Sequence, residues 1–161
     1  MALPGDEAVN FITNLVSQGQ IQPAGVDLSL RKVFKLKSHL TLGRERRSLP
    51  EFEEVEPGSD GWWYLSQGVY KVMFNEVVSV PEDYVALCFP RSTLLRSGVL
   101  LVCTVWDPGY VGRGEALLHV MNPYGLKIER CTPVAQLVFV KLLKKPSRTY
   151  KGIYRGENLD K

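Results

Sequence analysis

Apolar residues recur at helical spacing in the first part of the chain. In the segment "DEAVNFITNLVSQG", residues 6–19, four of them fall on one face: Val9, Ile12, Leu15 and Val16. Asp6 can cap the N-terminus of such a helix, and Gly19 lies near its C-terminus. The pattern therefore predicts a short amphipathic helix.

After this segment the period changes, and the chain becomes a series of short β-rich segments divided by Gly, Pro, Asn or Ser-Asp. They are "GVDLSL", "KVFKL", "WWYLSQG", "VYKVMF", "EVVSV", "DYVALCF", "GVLLVCTVW", "EALLHVM", "LKIER" and "VAQLVFVKLL". Another helix is predicted only in "RSTLLRSG", residues 91–98. About ten strands in roughly 120 residues predict an all-β fold, a barrel or a jelly roll.

The length of the chain and the distribution of its turn residues predict one domain over residues 1–161. Residues 42–61 are polar, charged and proline-bearing, which indicates a long surface excursion. Residues 150–161 carry tyrosines, glycines and cations, but little that could pack in a core. They form either a frayed terminus or a mobile tail that closes over a ligand, with tyrosines for stacking and cations for phosphate.

Composition narrows the class of protein. The chain is 45% hydrophobic and 23% charged, with a net charge of +3, which is not the concentrated positive charge of a duplex-DNA-binding protein. No apolar window is long enough to span a bilayer, and no signal peptide is evident. The three cysteines form no Cys-x-x-Cys pair. We therefore expect a cytoplasmic protein that binds neither membrane nor nucleic acid and has no zinc site.

Several catalytic motifs are absent from the sequence. There is no phosphate-binding P-loop, no dinucleotide-binding glycine pattern after a strand, and no G-x-S-x-G elbow. The H-x-E and P-C-x-x-C segments of zinc deaminases are also missing. Any hydrolysis must then depend on carboxylates, with a divalent cation brought in by the substrate.

Five segments, in order, resemble the motifs of the superfamily that joins dUTPases and dCTP deaminases. They are "PAGVDLSL" (23–30), "PRSTLLRSG" (90–98), "WDPGYVGRGE" (106–115), "PVAQLVF" (133–139) and "YKGIYRG" (150–156), the last similar to the tail of archaeal-type members. The resemblance implies a distorted jelly-roll subunit, a homotrimer with active sites at subunit interfaces, and a Mg²⁺-bound deoxynucleoside triphosphate as ligand.

The first two motifs imply phosphate and metal contacts. Asp27 matches the acid that orients magnesium-bound water, although an Asp here could instead stabilise a turn. Arg91, Ser92 and Thr93 begin the predicted internal helix, where free backbone N–H groups suit a phosphate. Arg96, one turn later, can add a forked donor from the same face.

The third motif implies the nucleoside site and the chemistry. The family resemblance makes Asp107 the acid that activates water at the mouth of a hairpin holding base and sugar. Thr104, Val105 and Trp106 would line the base pocket, where the family usually has a small aliphatic residue in place of the indole. Trp106 would wall the pocket or pack on a neighbouring subunit. Tyr110 matches the aromatic under the deoxyribose, or is an ordinary turn residue.

The fourth motif and the tail complete the implied substrate contacts. Gln136 corresponds to the glutamine beside the phosphates, and Tyr150, Tyr154 and Arg155 belong to the closing tail. The long glycine-rich fifth motif of the common trimeric dUTPases, with its phenylalanine, is absent. The tail roles therefore follow the archaeal branch.

The deaminases of this fold carry a glutamate ten residues after the motif acid, which here is Leu117. If the turn holds two extra residues, His119 takes the position of this glutamate, where it would be a proton carrier or a core residue. Aligning Glu115 with that position would require a shift in the opposite direction. We therefore favour dUTP hydrolysis: water activated by Asp107 attacks the α-phosphorus with Mg²⁺ present. A dCTP deaminase or bifunctional enzyme is the alternative, followed by a non-catalytic nucleotide-sensing or nucleic-acid-binding domain.

Overall fold

The predicted all-β fold with two short helices is confirmed. The computed structural model describes residues 1–159, with helices α1 (Gly5–Ala8) and α2 (Ser92–Arg96). Within these residues the strands are β1 (Ile12–Thr13), β2 (Ile21–Gln22), β3 (Gly25–Leu36), β4 (Thr41–Leu42), β5 (Arg47–Ser48), β6 (Phe52–Val55), β7 (Trp62–Leu65), β8 (Gly68–Phe74), β9 (Val77–Ser79), β10 (Tyr84–Pro90), β11 (Val99–Val102), β12 (Val105–Trp106), β13 (Val111–Gly112), β14 (Glu115–Val120), β15 (Leu126–Glu129) and β16 (Pro133–Lys141).

The N-terminal helix is much shorter than the periodicity predicts. A 3₁₀ turn over Val9–Phe11 follows α1, and the chain is then extended at Ile12–Thr13. The helix begins after Pro4, so Asp6 is not its cap. The prediction of helix through Val16 was wrong because Ile12 pairs with Val78 of β9, and this long-range pairing overrides the weak local helix propensity.

Strand β3 curls the main sheet into a distorted jelly roll. Its first half pairs with β16 at Val26–Ser29, and its second half pairs with β8 from Leu30 to Lys35. A register shift between Leu30 and Lys32 marks the change, and such irregularities bend a strand. The sheet order is β11-β14-β8-β3-β16-β10-β12. The side chains enclosed by the curl include Leu28, Val72, Phe74, Leu118, Leu137 and Phe139.

The expected surface excursion, residues 42–61, is mostly exposed but not structureless. Strands β4 and β5 form a small hairpin, and β6 pairs with the second half of β3, Phe52 lying opposite Leu36. This segment therefore widens the sheet at the end of β3. Among residues 1–159, no helix combines the length and the apolarity that crossing a bilayer would require.

Candidate active site

A pocket of about 290 Å³ opens where two paired strands separate. Strands β11 and β14 are paired as far as Val102 opposite Leu117. Beyond that point the segment after β11 separates from β14 and forms β12, which pairs with β10. The gap between the separated strands is the pocket. Its walls are Thr104, Val105, Trp106, Asp107, Tyr110, Gly114, Glu115, Tyr150, Tyr154 and Glu157. The five residues predicted from the third motif therefore lie together.

Asp107 is placed in this wall by the end of β12. Its backbone carbonyl accepts a hydrogen bond from Tyr110 N at 3.0 Å, which closes the turn Asp107–Tyr110. The side chain is exposed, and within residues 1–159 its carboxylate has neither a hydrogen-bond nor an ion-pair partner. An acid in this state is available to accept a proton from water.

Trp106 lines the pocket and packs against residues of the same chain. The indole is 6% exposed and meets the Tyr110 ring edge-on, with 5.2 Å between ring centroids. Its other neighbour is Phe74, at 6.3 Å. Gly114 makes this packing possible, because a Cβ atom there would lie 2.3 Å from the indole. The bulky residue at position 106 is therefore accommodated by the absence of a side chain at position 114.

Tyr110 is held by an acid from the C-terminal segment. Its hydroxyl donates to Glu157 Oε1 at 2.7 Å. Burial, followed by this hydrogen bond and the nearby Glu157 charge, raises the pKa of Tyr110 well above its ordinary value. Burial also raises the pKa of Glu157, and the negative charge of Glu115 acts in the same direction. The tyrosine is thus a neutral donor with a fixed ring orientation.

The C-terminal residues fold back across the third motif of the same chain. Gly156 N donates to Val111 O at 2.6 Å, and Arg113 N donates to Glu157 O at 3.0 Å. Arg155 Nε donates to Gly109 O at 3.1 Å. Of the predicted tail residues, Tyr150 and Tyr154 therefore line the Asp107 pocket, and Arg155 contacts the turn that follows Asp107. Asp160 and Lys161, at the end of the predicted tail, lie outside the described residues.

A second cluster joins residues of the first, second and fourth motifs. In the register of β3 and β16, Asp27 lies opposite Gln136, and Gln136 lies opposite Phe89 of β10. Arg91, just after β10, forms an ion pair with Asp27. Burial raises the pKa of Asp27, while the hydrogen bond from Arg91 opposes that shift. Pairing of three neighbouring strands therefore assembles Asp27, Arg91 and Gln136.

The remaining residues of the second motif lie on α2. Arg91 is the extended residue before the helix, and Ser92, Thr93 and Arg96 are exposed on it. Leu94 is buried and anchors the helix to the core. The hydroxyls of Ser92 and Thr93 and the guanidinium of Arg96 therefore lie on the surface next to the Asp27–Arg91 pair.

A single chain does not bring the two clusters together. Trp106 pairs with Ala86 of β10, whereas Arg91 follows the far end of that strand. The five-residue separation from Ala86 to Arg91 corresponds to about 16 Å along an extended chain. Asp27, Arg91 and Gln136 are not among the residues lining the Asp107 pocket. The predicted site residues therefore fall into two separate clusters.

The sequence did not indicate a buried carboxyl group, Glu76, that is linked to the backbone of Asp27 through Gln20. Glu76 is fully buried and accepts from Ser29 N at 2.9 Å, Ser29 Oγ at 2.6 Å and Gln20 Nε2 at 2.6 Å. Gln20 Nε2 also donates to Asp27 O at 2.9 Å. Nothing in the periodicity marks Glu76 as buried, since it begins a short β-rich segment after Asn75.

Glu76 should make stability depend on pH. Burial raises its pKa above the ordinary 4.5, so the folded chain binds this proton more tightly than the unfolded chain. The free energy of unfolding should therefore fall as pH rises from about 4.5 through the folded pKa. Glu76→Gln should gain stability relative to wild type across that window, measured by urea unfolding at several pH values. Parallel pH curves for the two proteins would contradict this assignment.

The donor set suits a magnesium ion that arrives with its own ligands. Among residues 1–159, no group of three or more His, Cys, Asp or Glu side chains could hold a metal. Asp27 Oδ1 is buried and has no hydrogen-bond partner within the described part of the chain, so one carboxylate oxygen remains for a water ligand. Mg²⁺ usually retains several waters and binds through one or two carboxylates and substrate phosphates. Asp27 fits the water-mediated role.

The positions tied to deamination lie mostly outside the pocket. Leu117 and His119 are on β14, opposite Val102 and Leu100 of β11, and neither lines the pocket. Glu115 does line it, but its Oε1 accepts from Lys71 Nζ at 2.8 Å. This ion pair was not foreseen, although Glu115 stands at the end of the third motif.

Comparison with known proteins gives consistent matches. A family model described as dCTP deaminase-like matches residues 6–142. A protein of Aeropyrum pernix named "Probable deoxyuridine 5'-triphosphate nucleotidohydrolase" is 47% identical over 143 residues, 89% of each chain. The "Deoxyuridine 5'-triphosphate nucleotidohydrolase" of Methanocaldococcus jannaschii is 36% identical over 97% of this chain and 99% of its own.

Solved structures share the fold at low sequence identity. The 2'-deoxycytidine 5'-triphosphate deaminase from Agrobacterium tumefaciens matches with a TM-score of 0.66 at 19% identity, over 86% of this chain. This chain spans 47% of that longer protein. A dUTPase of Staphylococcus bacteriophage 80alpha, bound to dUpNHpp, matches with a TM-score of 0.51 at 15% identity, over 88% of this chain and 95% of its own. These likenesses concern the fold alone.

Proposed function

Since this chain belongs to the dCTP deaminase-like family, we propose that it hydrolyses dUTP to dUMP and pyrophosphate. The observation that carries the proposal is the Asp107 carboxylate, which has no partner among residues 1–159 and lies in the wall of a pocket between two separating strands. Relatives named as dUTP nucleotidohydrolases, aligned along nearly the whole chain, support dUTP as the substrate. Because Leu117 and His119 lie away from the pocket, deamination of dCTP has less support.

In the proposed reaction the separated strands hold the nucleoside. The base enters between Thr104–Trp106 and Gly114–Glu115, where β11 and β14 no longer bond to each other. The ring of Tyr110, fixed by Glu157, packs under the deoxyribose and leaves no room for a 2′-hydroxyl. Tyr150 and Tyr154 cover the nucleoside from the C-terminal side.

Asp107 acts as the general base. Its carboxylate takes a proton from a water molecule, the water oxygen attacks the α-phosphorus in line, and the bond to the bridging oxygen breaks. Pyrophosphate leaves with the electron pair of that bond. A bound Mg²⁺ would neutralise charge on the triphosphate, with Asp27 contacting its water ligands. Arg91, Ser92, Thr93, Arg96 and Gln136 would bind the phosphates.

This scheme requires that the two halves of the site meet between subunits. About 16 Å of β10 separates them in one chain, so a neighbouring subunit must supply Asp27, Arg91 and Gln136 to each Asp107. Exposed apolar side chains on the same elements support such packing: Phe89 is 51% exposed, Leu95 58% and Val105 56%. A cyclic homotrimer satisfies this arrangement with three equivalent sites.

Product analysis tests the activity directly. dUTP and dCTP are incubated separately with the purified chain, with and without Mg²⁺, and dUMP, pyrophosphate and ammonia are measured. We expect dUMP and pyrophosphate from dUTP with Mg²⁺, and no ammonia from dCTP. Ammonia from dCTP would establish the deaminase alternative, and the absence of all products would indicate a non-catalytic domain.

A further inference from the structure

Within the described chain, one edge of β3 has no paired strand beside Asp27. On the edge away from β16, β2 pairs with β3 as far as Val26, and β8 pairs with it from Leu30 onward. Residues 27–29 lie between these two partners. Backbone N–H and C=O groups that are buried without a partner cost free energy. Asp27 and Ser29 are both buried, so other groups are needed to bond to their backbone.

Two buried side chains supply these bonds. Gln20 Nε2 donates to Asp27 O at 2.9 Å, and Glu76 Oε2 accepts from Ser29 N at 2.9 Å. The two side chains are also joined, because Gln20 Nε2 donates to Glu76 Oε1 at 2.6 Å. Both residues are at most 1% exposed. Together they hold the backbone on either side of Leu28, as a neighbouring strand would.

The orientation of the Gln20 amide is fixed at its other atom. Gln20 Oε1 accepts from Val16 N at 2.6 Å and from Ser17 N at 2.9 Å. Turning the amide over would place its NH₂ group against those two N–H groups, so Nε2 stays directed at Asp27 O and Glu76. A buried carboxylate is costly unless it is hydrogen-bonded, and these donors provide that bonding for Glu76.

We propose that Gln20 and Glu76 are positioning residues for Asp27, an inference that rests on the proposed function. They fix the backbone from which the Asp27 side chain extends, while Arg91 engages Asp27 Oδ2. Oδ1, which has no hydrogen-bond partner within residues 1–159, is thereby held where a water ligand of a substrate-bound Mg²⁺ can reach it. Groups that orient a metal-binding carboxylate typically contribute about 10- to 100-fold to metal affinity or activity.

Two substitutions disturb this arrangement from its two ends. In Gln20→Met the side chain keeps nearly the same length but has no donor for Asp27 O. In Glu76→Gln the side chain has only one acceptor oxygen. Its NH₂ group must then face either the Ser29 N–H or the NH₂ group of Gln20, so one of the two bonds to the β3 backbone is weakened.

The affinity of each variant for dUpNHpp is measured calorimetrically over a range of Mg²⁺ concentrations, and dUMP is titrated in parallel. We expect the Mg²⁺ concentration that gives half-maximal dUpNHpp affinity to rise at least about tenfold in both variants. The affinity for dUMP should stay at the wild-type value, because dUMP lacks the β- and γ-phosphates that carry the metal. Urea unfolding measures the stability of each variant separately.

Tyr70→Phe is the matched control. The Tyr70 hydroxyl also donates to a backbone carbonyl, Ser66 O at 3.0 Å, and Tyr70 is 4% exposed. Tyr70 lies on β8 and does not line the Asp107 pocket. This variant should lose stability while its Mg²⁺ requirement stays at the wild-type value, which separates a loss of stability from a loss of Asp27 position.

Three results would overturn the inference alone, in a wild-type protein that hydrolyses dUTP. They are an unchanged Mg²⁺ requirement in the variants, an equal loss of affinity for dUMP and dUpNHpp, and the same rise in Mg²⁺ requirement in Tyr70→Phe. If one of the two variants does not fold, the other decides. A wild-type protein that neither binds dUpNHpp nor hydrolyses dUTP would overturn the proposed function, and this inference with it.

Discussion

Replacing Asp107 with asparagine should lower dUTP turnover by about 10²- to 10⁴-fold, the usual contribution of a positioned general base. Asparagine has nearly the same shape but cannot take a proton from water. Because the Asp107 carboxylate has no partner within residues 1–159, folding should be unaffected. The measurements are the single-turnover rate of dUMP formation and the dissociation constant of dUpNHpp, which should stay close to the wild-type value.

Asp6→Asn supplies a matched control for this substitution. Asp6 is exposed on α1, remote in sequence from the motifs, so the same chemical change there should leave turnover unaltered. Full activity in Asp107→Asn would remove Asp107 from the chemistry. Loss of dUpNHpp binding in that variant would make Asp107 a ligand-binding group instead.

Mixing two inactive variants should restore activity if sites are shared between subunits. Asp107→Asn disables one half of the site and Arg91→Ala the other. In trimers refolded from equal amounts, about one interface in four joins an intact Asp107 to an intact Arg91, by random assortment around a closed ring. Steady-state dUTP hydrolysis should therefore recover to about a quarter of the wild-type rate, from two proteins that are each nearly inactive.

A second pair of variants controls for recovery by other routes. Arg91 and Gln136 lie in the same half of the site, so mixing Arg91→Ala with Gln136→Ala leaves a defect in every interface and should restore nothing. Mixed trimers verified by mass that show no recovery with the first pair would place each complete site within one subunit. Recovery with the second pair would contradict the grouping of Arg91 with Gln136.

The local patterns predicted the strands well and the first helix poorly. Alternation and turn residues marked segments such as "VYKVMF" and "EALLHVM", which became β8 and β14, because side chains on a half-buried strand alternate between two environments. The helix predicted from the spacing of Val9, Ile12, Leu15 and Val16 does not form over its full length, because Ile12 pairs with a residue of β9 that lies 66 positions away.

The sequence supplied candidate residues for the site but not their arrangement in three dimensions. The resemblance to the dUTPase and dCTP deaminase motifs singled out Asp27, Arg91, Asp107, Tyr110 and Gln136. It did not indicate that Glu157 would bond to Tyr110, or that Glu115 would pair with Lys71. Those contacts join residues 47 and 44 positions apart, and no local pattern encodes such a distance.

The sequence by itself determined the all-β class, the approximate place of α2 and the identity of the polar residues in each motif, because these depend on neighbours a few residues apart. The tertiary structure decided where the polar residues meet. It placed Asp107 and the C-terminal segment around one pocket and set the Asp27–Arg91 pair at the other end of β10. Strand register and chain reversal set these distances, and both are products of long-range packing.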